Sequence, residues 1–396
     1  MAKLSKRITT LNGEGSDGWE VFYRARAMIA AGQEVIELTI GEHDIRTHPD
    51  ILAAMDRSAR GGHTGYASVP GVPALRDAIA AQTQARTGVR TTRDNVLITP
   101  GGQAGLFAAH MALCDPGDTA LFIDPYYATY PGTLRAAGAR PHALQTRADN
   151  AFQPNDDTFA HAPDARTLLV NSPNNPTGTV YDETTWDSIA RASQERDLWL
   201  VSDEVYDSQV WQGAHISPRS LPGMAERTLV VGSMSKSFAM TGSRLGWVIG
   251  PQEAVAAMLD LATNTTYGVP GFIQDAGLWA LTEGQALSAE VAAPFRARRN
   301  QALEILAAQD TVRAIPPQGA MYLMLDVRRT GLSGEEFAHQ LLDAHKIAVM
   351  PGESFGQAAS GHLRIALTQP DAILADALQT LLTFAAERAA QASAAT

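Results

Sequence analysis

Short apolar runs, separated by segments long enough for a helix, are the feature that most constrains how this chain can fold. Six lie in its middle: Asn95–Thr99, Thr119–Ile123, Thr167–Val170, Leu198–Ser202, Thr228–Val231 and Leu245–Ile249. Near-continuous apolar runs are typical of strands buried on both faces, and the spacing is typical of crossover helices. The pattern therefore predicts an α/β fold, with a mostly parallel sheet and helices on both of its faces.

The connection into the sixth run does not follow this rule. Between Gly232 and Arg244 there is too little chain for a crossover, which takes a dozen or more residues besides its loops. We therefore expect Leu245–Ile249 to lie antiparallel to the strand before it.

The C-terminal third has a different pattern. Helical periodicity dominates Gln252–Ala308, and short strands are predicted at Ala320–Leu325 and His362–Leu367. A chain of 396 residues also exceeds what one hydrophobic core usually supports. We expect a large cofactor-binding α/β domain over residues 49–280. Residues 1–48 and 281–396 are expected to form a smaller α+β domain.

Charge and cysteine usage limit the classes of partner. The formal charge of −11 argues against a broad nucleic-acid surface. Cys114 is the only cysteine, which excludes an intrachain disulfide and favours a reducing compartment, and we expect its thiol to be buried. Residues 1–20 contain no apolar stretch typical of a secretory signal, and no run approaches the roughly 20 apolar residues of a membrane span. We therefore predict a cytoplasmic protein without nucleic-acid or membrane partners, and we assign no metal ligands.

Polar and glycine residues follow the predicted strands. In open α/β sheets, ligands collect beyond the carboxyl ends of the strands. The residues at these ends, in chain order, are Gly102, Gln103, Tyr127, Asn175, Asp203, Tyr206, Ser233, Ser235 and Lys236, with Arg244 at the start of the antiparallel strand. Each alone has an ordinary explanation, since glycine pairs form turns and most charges are solvated. Their common location predicts a binding site.

This set matches what pyridoxal phosphate requires. The cofactor needs an amine for a Schiff base, an acid that keeps its pyridine nitrogen protonated, and an anion site for its phosphate. Lys236, Asp203 and Arg244 could supply these three functions. Asn175 and Tyr206 can donate hydrogen bonds to the phenolic oxygen of the cofactor. The ring of Tyr127 offers an aromatic face, and the serines suit the phosphate.

Three segments, Pro173–Gly178, Ser202–Tyr206 and Ser233–Arg244, resemble those of the class I/II aminotransferases. This is the aspartate aminotransferase superfamily, fold type I of the pyridoxal-phosphate enzymes. The likeness extends from about Glu37 to Leu367. It implies a seven-stranded sheet and a transaminase that moves an amino group between an L-amino acid and a 2-oxo acid. The reaction in such enzymes passes through aldimine, quinonoid and ketimine intermediates.

The resemblance also implies roles for individual residues. Lys236 would form the Schiff base and Asp203 would contact the ring nitrogen, while Asn175 and Tyr206 would reach the phenolic oxygen. Tyr127 would stack on the ring. The phosphate would be held by the backbone of Gly102 and Gln103 and by Ser233, Ser235 and Arg244. Arg364 matches the arginine that binds the substrate α-carboxylate, Gly41 matches a glycine that lines the substrate cleft, and Asn175 also borders the substrate. Tyr66 matches a tyrosine that such homodimers lend to the partner's phosphate site.

Two segments depart from the family pattern. The family often has Gly-Glu-Pro-Asp-Phe where this chain has Gly41–Ile45 followed by Arg46. This segment borders the substrate pocket in relatives, so the differences at His43, Ile45 and Arg46 mean that the resemblance does not determine which substrate is bound. Many relatives have Ala-Phe-Tyr at Ala320–Tyr322, where this chain has methionine in the middle. Two alternatives also stay open, because a fold alone does not determine function. They are a carbon–sulfur β-lyase that uses the same cofactor and a degenerate cofactor-binding regulatory module.

Overall fold

A computed structural model describes residues 2–13 and 18–395. The segment in which we expect no secretory signal includes residues 1 and 14–17, which lie outside the described residues. The strands are β1 (Ile36–Leu38), β2 (Val96–Thr99), β3 (Thr119–Asp124), β4 (Arg140–Gln145), β5 (Thr167–Asn171), β6 (Trp199–Asp203), β7 (Thr228–Ser233), β8 (Gly246–Ile249), β9 (Arg313–Ile315), β10 (Tyr322–Asp326), β11 (Ile347–Pro351) and β12 (His362–Ala366).

Helices separate most of these strands. They are α1 (Lys6–Thr9), α2 (Glu20–Ala30), α3 (Pro49–Arg60), α4 (Pro73–Thr87), α5 (Gly102–Leu113), α6 (Tyr130–Ala136), α7 (Asp156–Ala160), α8 (Glu183–Glu195), α9 (Met234–Ser237), α10 (Gln252–Thr263), α11 (Gly271–Thr282), α12 (Leu287–Ala307), α13 (Gly334–His345) and α14 (Asp371–Ala395). Several begin at a side-chain cap, which satisfies N–H groups that have no partner within the helix. Asp182 caps α8 in this way, and Ser333 caps α13.

Seven strands form one sheet in the order β2-β8-β7-β6-β5-β3-β4. All neighbours pair in parallel except β8, which is antiparallel to both β2 and β7. Each of the six apolar runs forms a strand within about two residues of its predicted bounds. The predicted fold class and the predicted antiparallel strand are both confirmed.

Strand β4 is absent from the sequence prediction. Of its six residues Leu144 is buried, while the other five are exposed or partly buried and include Pro141 and His142. It pairs only with β3 at the edge of the sheet. An edge strand has one free side and is not buried on both faces, so it does not need the continuous apolar run by which its neighbours were recognised.

Five strands form a second sheet in the order β1-β11-β12-β10-β9. It contains both strands predicted in the C-terminal third, and β1 joins it by pairing in parallel with β11. Helices α12, α13 and α14 cover it through buried side chains that include Phe295, Phe337 and Leu378. The start and the end of the chain therefore share one hydrophobic core.

The surroundings of Cys114 and the lengths of the helices bear on two further expectations. Cys114 is buried beside Thr167, and burial raises the pKa of its thiol, as expected for a packing residue. Within the described part of the chain, no helix has both the length and the apolar character needed to cross a bilayer.

Candidate active site

A cavity of about 340 Å³ lies at the carboxyl edge of the seven-stranded sheet and is closed by residues of the second sheet. Twelve of the thirteen predicted site residues line it. They are Gly41, Gly102, Gln103, Tyr127, Asn175, Asp203, Tyr206, Ser233, Ser235, Lys236, Arg244 and Arg364. The thirteenth, Tyr66, does not. The strand order explains this convergence, because β2, β5, β6 and β7 all end at this edge.

Lys236 lies on the short helix α9, directly after β7. Its Nζ donates a hydrogen bond to the carbonyl oxygen of Gly41. Burial lowers the pKa of the Lys236 amine, and the positive charge of Arg364 lowers it further. The other three lysines, Lys3, Lys6 and Lys346, are exposed or half-buried and do not line the cavity. Lys236 is therefore the amine that is available for chemistry in this cavity.

Asp203 ends strand β6 and is only 5% exposed. Its Oδ2 accepts a hydrogen bond of 2.7 Å from the hydroxyl of Tyr130, and its Oδ1 accepts a bond of 3.3 Å from the N–H of Val205. Burial raises the pKa of the Asp203 carboxyl to about 6, although both bonds act in the opposite direction. Tyr130 also lines the cavity, but sequence reasoning did not find it.

The first turn of α5, Arg244 and two serines form the polar end of the cavity. Helix α5 begins at Gly102, after Gly101 with φ of +82°. That left-handed conformation favours glycine, and a Cβ at Gly101 would also collide with the guanidinium of Arg244. Ser233 and Ser235 are joined by a 2.9 Å hydrogen bond between their hydroxyls. Free N–H groups at a helix start, a guanidinium and hydroxyls together suit a phosphate.

Arg364, on β12, is 1% exposed. Its guanidinium lies between the rings of Tyr322 and Phe355, with its carbon 4.5 and 4.4 Å from the two ring centroids. Its Nη1 donates a 2.9 Å hydrogen bond to Oδ1 of Asn175, and its Nη2 donates to the carbonyl of Thr39. Among the described residues its buried Nε has no partner. An arginine held this rigidly, with donor capacity left, suits a carboxylate ligand.

Tyr206 and Tyr322 form a hydroxyl pair at 2.8 Å on the same wall of the cavity. Asn175 Nδ2 donates a bond of 3.5 Å to the Tyr322 hydroxyl. A Cβ at Gly41 would collide with that hydroxyl, so the close approach of the chain requires glycine there. Sequence reasoning noted Tyr322 only as part of a departure at Ala320–Tyr322 and gave it no role.

The remaining predicted residues lie in different surroundings. The ring of Tyr127 lines the cavity, perpendicular to that of Tyr130 at 5.8 Å. Tyr66 is 91% exposed, and its ring contacts that of Tyr267 at 5.1 Å. Of the segment that departs from the family pattern, His43 is buried and Arg46 is exposed, and neither lines the cavity.

Solved aminotransferases share this architecture. The chain superposes on the aspartate aminotransferase of Thermus thermophilus with maleate at a TM-score of 0.90, with 34% identity and coverage of 97% of this chain and 100% of that one. The aromatic aminotransferase of Pyrococcus horikoshii gives 0.87, with 30% identity over 92% of this chain and 99% of that one. The fold is that of enzymes that transfer amino groups.

The sequence match is equally extensive. The chain is 39% identical to the arginine–pyruvate transaminase of Pseudomonas aeruginosa over 96% of this chain and 97% of that protein. It is 35% identical to the aspartate/prephenate aminotransferase of Thermus thermophilus, over 96% and 98%. Residues 33–381 match the family described as "Aminotransferase class I and II". The chain belongs to this family and is a transaminase.

Proposed function

We propose that the cavity binds pyridoxal 5′-phosphate through Lys236 and that transamination between an L-amino acid and a 2-oxo acid takes place there. The observation that carries this proposal is that the amine of Lys236, the carboxylate of Asp203 and the guanidinium of Arg364 line one cavity. These are the three groups required to link the cofactor, to charge its ring and to hold a substrate carboxylate.

The polar end of the cavity fits the phosphate of the cofactor. The N–H groups of Gly102 and Gln103 belong to the first turn of α5, where the helix dipole favours an anion. Arg244 adds a permanent positive charge, and the hydroxyls of Ser233 and Ser235 can donate to phosphate oxygens.

The ring of the cofactor would be held by groups on three strand ends. When bound, pyridoxal phosphate supplies an electron-withdrawing ring that stabilises negative charge on the substrate α-carbon. Asp203 would keep the ring nitrogen protonated by placing a carboxylate beside it. Tyr127 would pack on the ring face, and Asn175 and Tyr206 would donate hydrogen bonds to the phenolic oxygen.

Lys236 also moves a proton. Its lowered pKa increases the fraction of neutral amine at physiological pH, and a neutral amine can accept a proton from the substrate α-carbon. Arg364 holds the α-carboxylate through its unused donor capacity, which fixes the α-carbon relative to Lys236 Nζ.

A spectroscopic experiment tests this function. The purified chain, loaded with the cofactor, is mixed with single amino donors, and conversion of the cofactor to its amine form is followed by absorbance. Arginine and aspartate are the first donors and pyruvate the first acceptor, because the similar enzymes are named for them. Release of the 2-oxo acid in step with conversion supports transamination. Release of ammonia and a thiol from cysteine conjugates would favour the β-lyase, and cofactor binding without any conversion would favour the regulatory module.

We further propose a homodimer in which Tyr66 completes the partner's phosphate site. The proposal is supported by the family resemblance and by the 91% exposure of Tyr66, whose ring contacts that of Tyr267, itself 51% exposed. A symmetric dimer is also the commonest soluble oligomer.

The domain limits and the cellular location are also proposals. A large domain over residues 49–280 is supported by the position of β2 to β8, all of which lie within it. The assignment of residues 1–48 and 281–396 to the small domain is supported by β1 and β9 to β12. A cytoplasmic location is supported by the single cysteine.

A further inference from the structure

The segment from Gly41 to Thr47 contacts the Lys236 region at several points. The carbonyl of Gly41 accepts a hydrogen bond from Lys236 Nζ. Two residues later, Nε2 of His43 lies 3.0 Å from the backbone oxygen of Lys236. Thr47 Oγ1 donates a 2.7 Å bond to the carbonyl of Ala239. One short segment therefore holds both the side chain and the backbone of the lysine.

The backbone oxygen of Lys236 requires such a partner. Helix α9 has four residues, and carbonyls in the last turn of a helix have no partner within it. The chain then turns through Ala239, whose φ of +51° is left-handed. Two side chains point at the Lys236 oxygen: His43 through Nε2 and Gln209 through Nε2, the latter at 3.3 Å. A carbonyl only accepts, so His43 Nε2 carries the hydrogen.

His43 is itself held in place. Its ring packs edge-on against Phe295 of α12, with centroids 5.3 Å apart and planes at 81°. The next residue, Asp44, accepts two bonds of 2.9 and 2.7 Å from the buried Arg298 of the same helix. Burial lowers the pKa of His43 to about 4, which keeps the ring neutral at physiological pH.

We propose that His43 is a positioning residue, which fixes the Lys236 backbone through its Nε2–H so that the ε-amino group keeps a single orientation in the cavity. The inference rests on the proposed role of Lys236 as the cofactor lysine. In the family pattern this position is often proline, which has no side-chain donor. The departure in sequence therefore coincides with a contact that a proline could not make.

The experiment compares His43→Phe, which keeps a flat ring but no donor, with His43→Gln, which keeps an N–H donor. His161→Phe is the matched control, because His161 is exposed and lies outside the cavity. Loss of one hydrogen bond should lower kcat about fivefold to tenfold in His43→Phe, with KM for the amino donor within about twofold. The visible circular dichroism of the bound cofactor, measured without substrate, should also fall. His43→Gln should recover most of both quantities.

The outcomes distinguish this inference from the proposed function. If borohydride reduction of the wild-type protein does not attach the cofactor to Lys236, the proposed function fails. If reduction does attach the cofactor to Lys236 of the wild type, but His43→Phe retains full kcat and circular dichroism, His43 is only a packing residue and the inference is wrong. Should His43→Phe not fold, His43→Met, which also lacks an N–H donor, takes its place beside His43→Gln. Full kcat and circular dichroism in His43→Met would equally overturn the inference.

Discussion

Replacing Tyr130 by phenylalanine removes the hydroxyl that donates a 2.7 Å bond to the buried carboxylate of Asp203. Hydrogen bonds to charged groups contribute about 1.5–3 kcal/mol. One pKa unit corresponds to about 1.4 kcal/mol, so the loss should raise the pKa of Asp203 by roughly 1 to 2 units. Its starting value in the cofactor-free protein is already about 6 because of burial. In Tyr130→Phe, much of the Asp203 population should therefore be protonated at neutral pH.

The consequence for cofactor binding has a definite sign. A protonated carboxyl cannot supply the negative charge that keeps the ring nitrogen protonated, so affinity for pyridoxal phosphate should fall as pH falls through the pKa of Asp203. In the variant this decline should begin at a pH roughly 1 to 2 units higher than in the wild type. At sufficiently high pH the two proteins should bind the cofactor with similar affinity.

The measurement is a titration of cofactor-free protein with pyridoxal phosphate, followed by absorbance across the neutral range. Tyr126→Phe is the matched control: Tyr126 precedes the same helix, but among the described residues it makes no hydrogen bond with Asp203 and does not line the cavity. Identical pH profiles for the wild type and Tyr130→Phe would refute the assignment of Tyr130 as the residue that keeps Asp203 ionised.

Three further outcomes are expected. Lys236→Ala should abolish turnover and the absorbance of the lysine-bound cofactor, whereas a borohydride-stable link at wild-type yield would show that another lysine is used. Asp203→Asn should leave thermal stability nearly unchanged but lower turnover by several orders of magnitude, because an amide carries no charge; near-normal turnover would contradict the assignment. Mixing Lys236→Ala with Tyr66→Phe chains should restore activity above the sum of the separate proteins, because one site of a mixed dimer carries neither change; full activity of a strict monomer would contradict the shared site.

The large sheet and most of the cavity could be predicted because their signals are local. Strands such as β5 and β6 are buried on both faces, which requires continuous apolar runs that are visible in the sequence. Once those strands are placed, parallel pairing brings the residues after them to one edge. Asn175, Asp203 and Lys236 could therefore be grouped without knowledge of any contact between them.

The features that were missed have no such signal. The partners of Asp203 and Tyr206 are Tyr130 and Tyr322, and each pair is more than 70 residues apart in the chain. A tyrosine in helix α6 or strand β10 is an ordinary packing residue until the fold brings it to a buried polar group. Strand β4 was missed for a different reason, since an exposed edge needs little apolar sequence.

Around Asn175, the cavity walls share hydrogen bonds, so a single substitution there changes several contacts at once. Asn175 Oδ1 accepts from Arg364 on β12, and its Nδ2 donates to Tyr322 on β10. The Tyr322 hydroxyl in turn bonds that of Tyr206, which follows β6. Asn175→Ala would therefore loosen both Arg364, the proposed ligand of the substrate carboxylate, and the proposed donors to the cofactor. The free-energy effects of substitutions at residues that share one hydrogen-bond network do not add. A double-mutant cycle of Asn175→Ala with Tyr206→Phe should consequently give a smaller combined loss than the sum of the single losses.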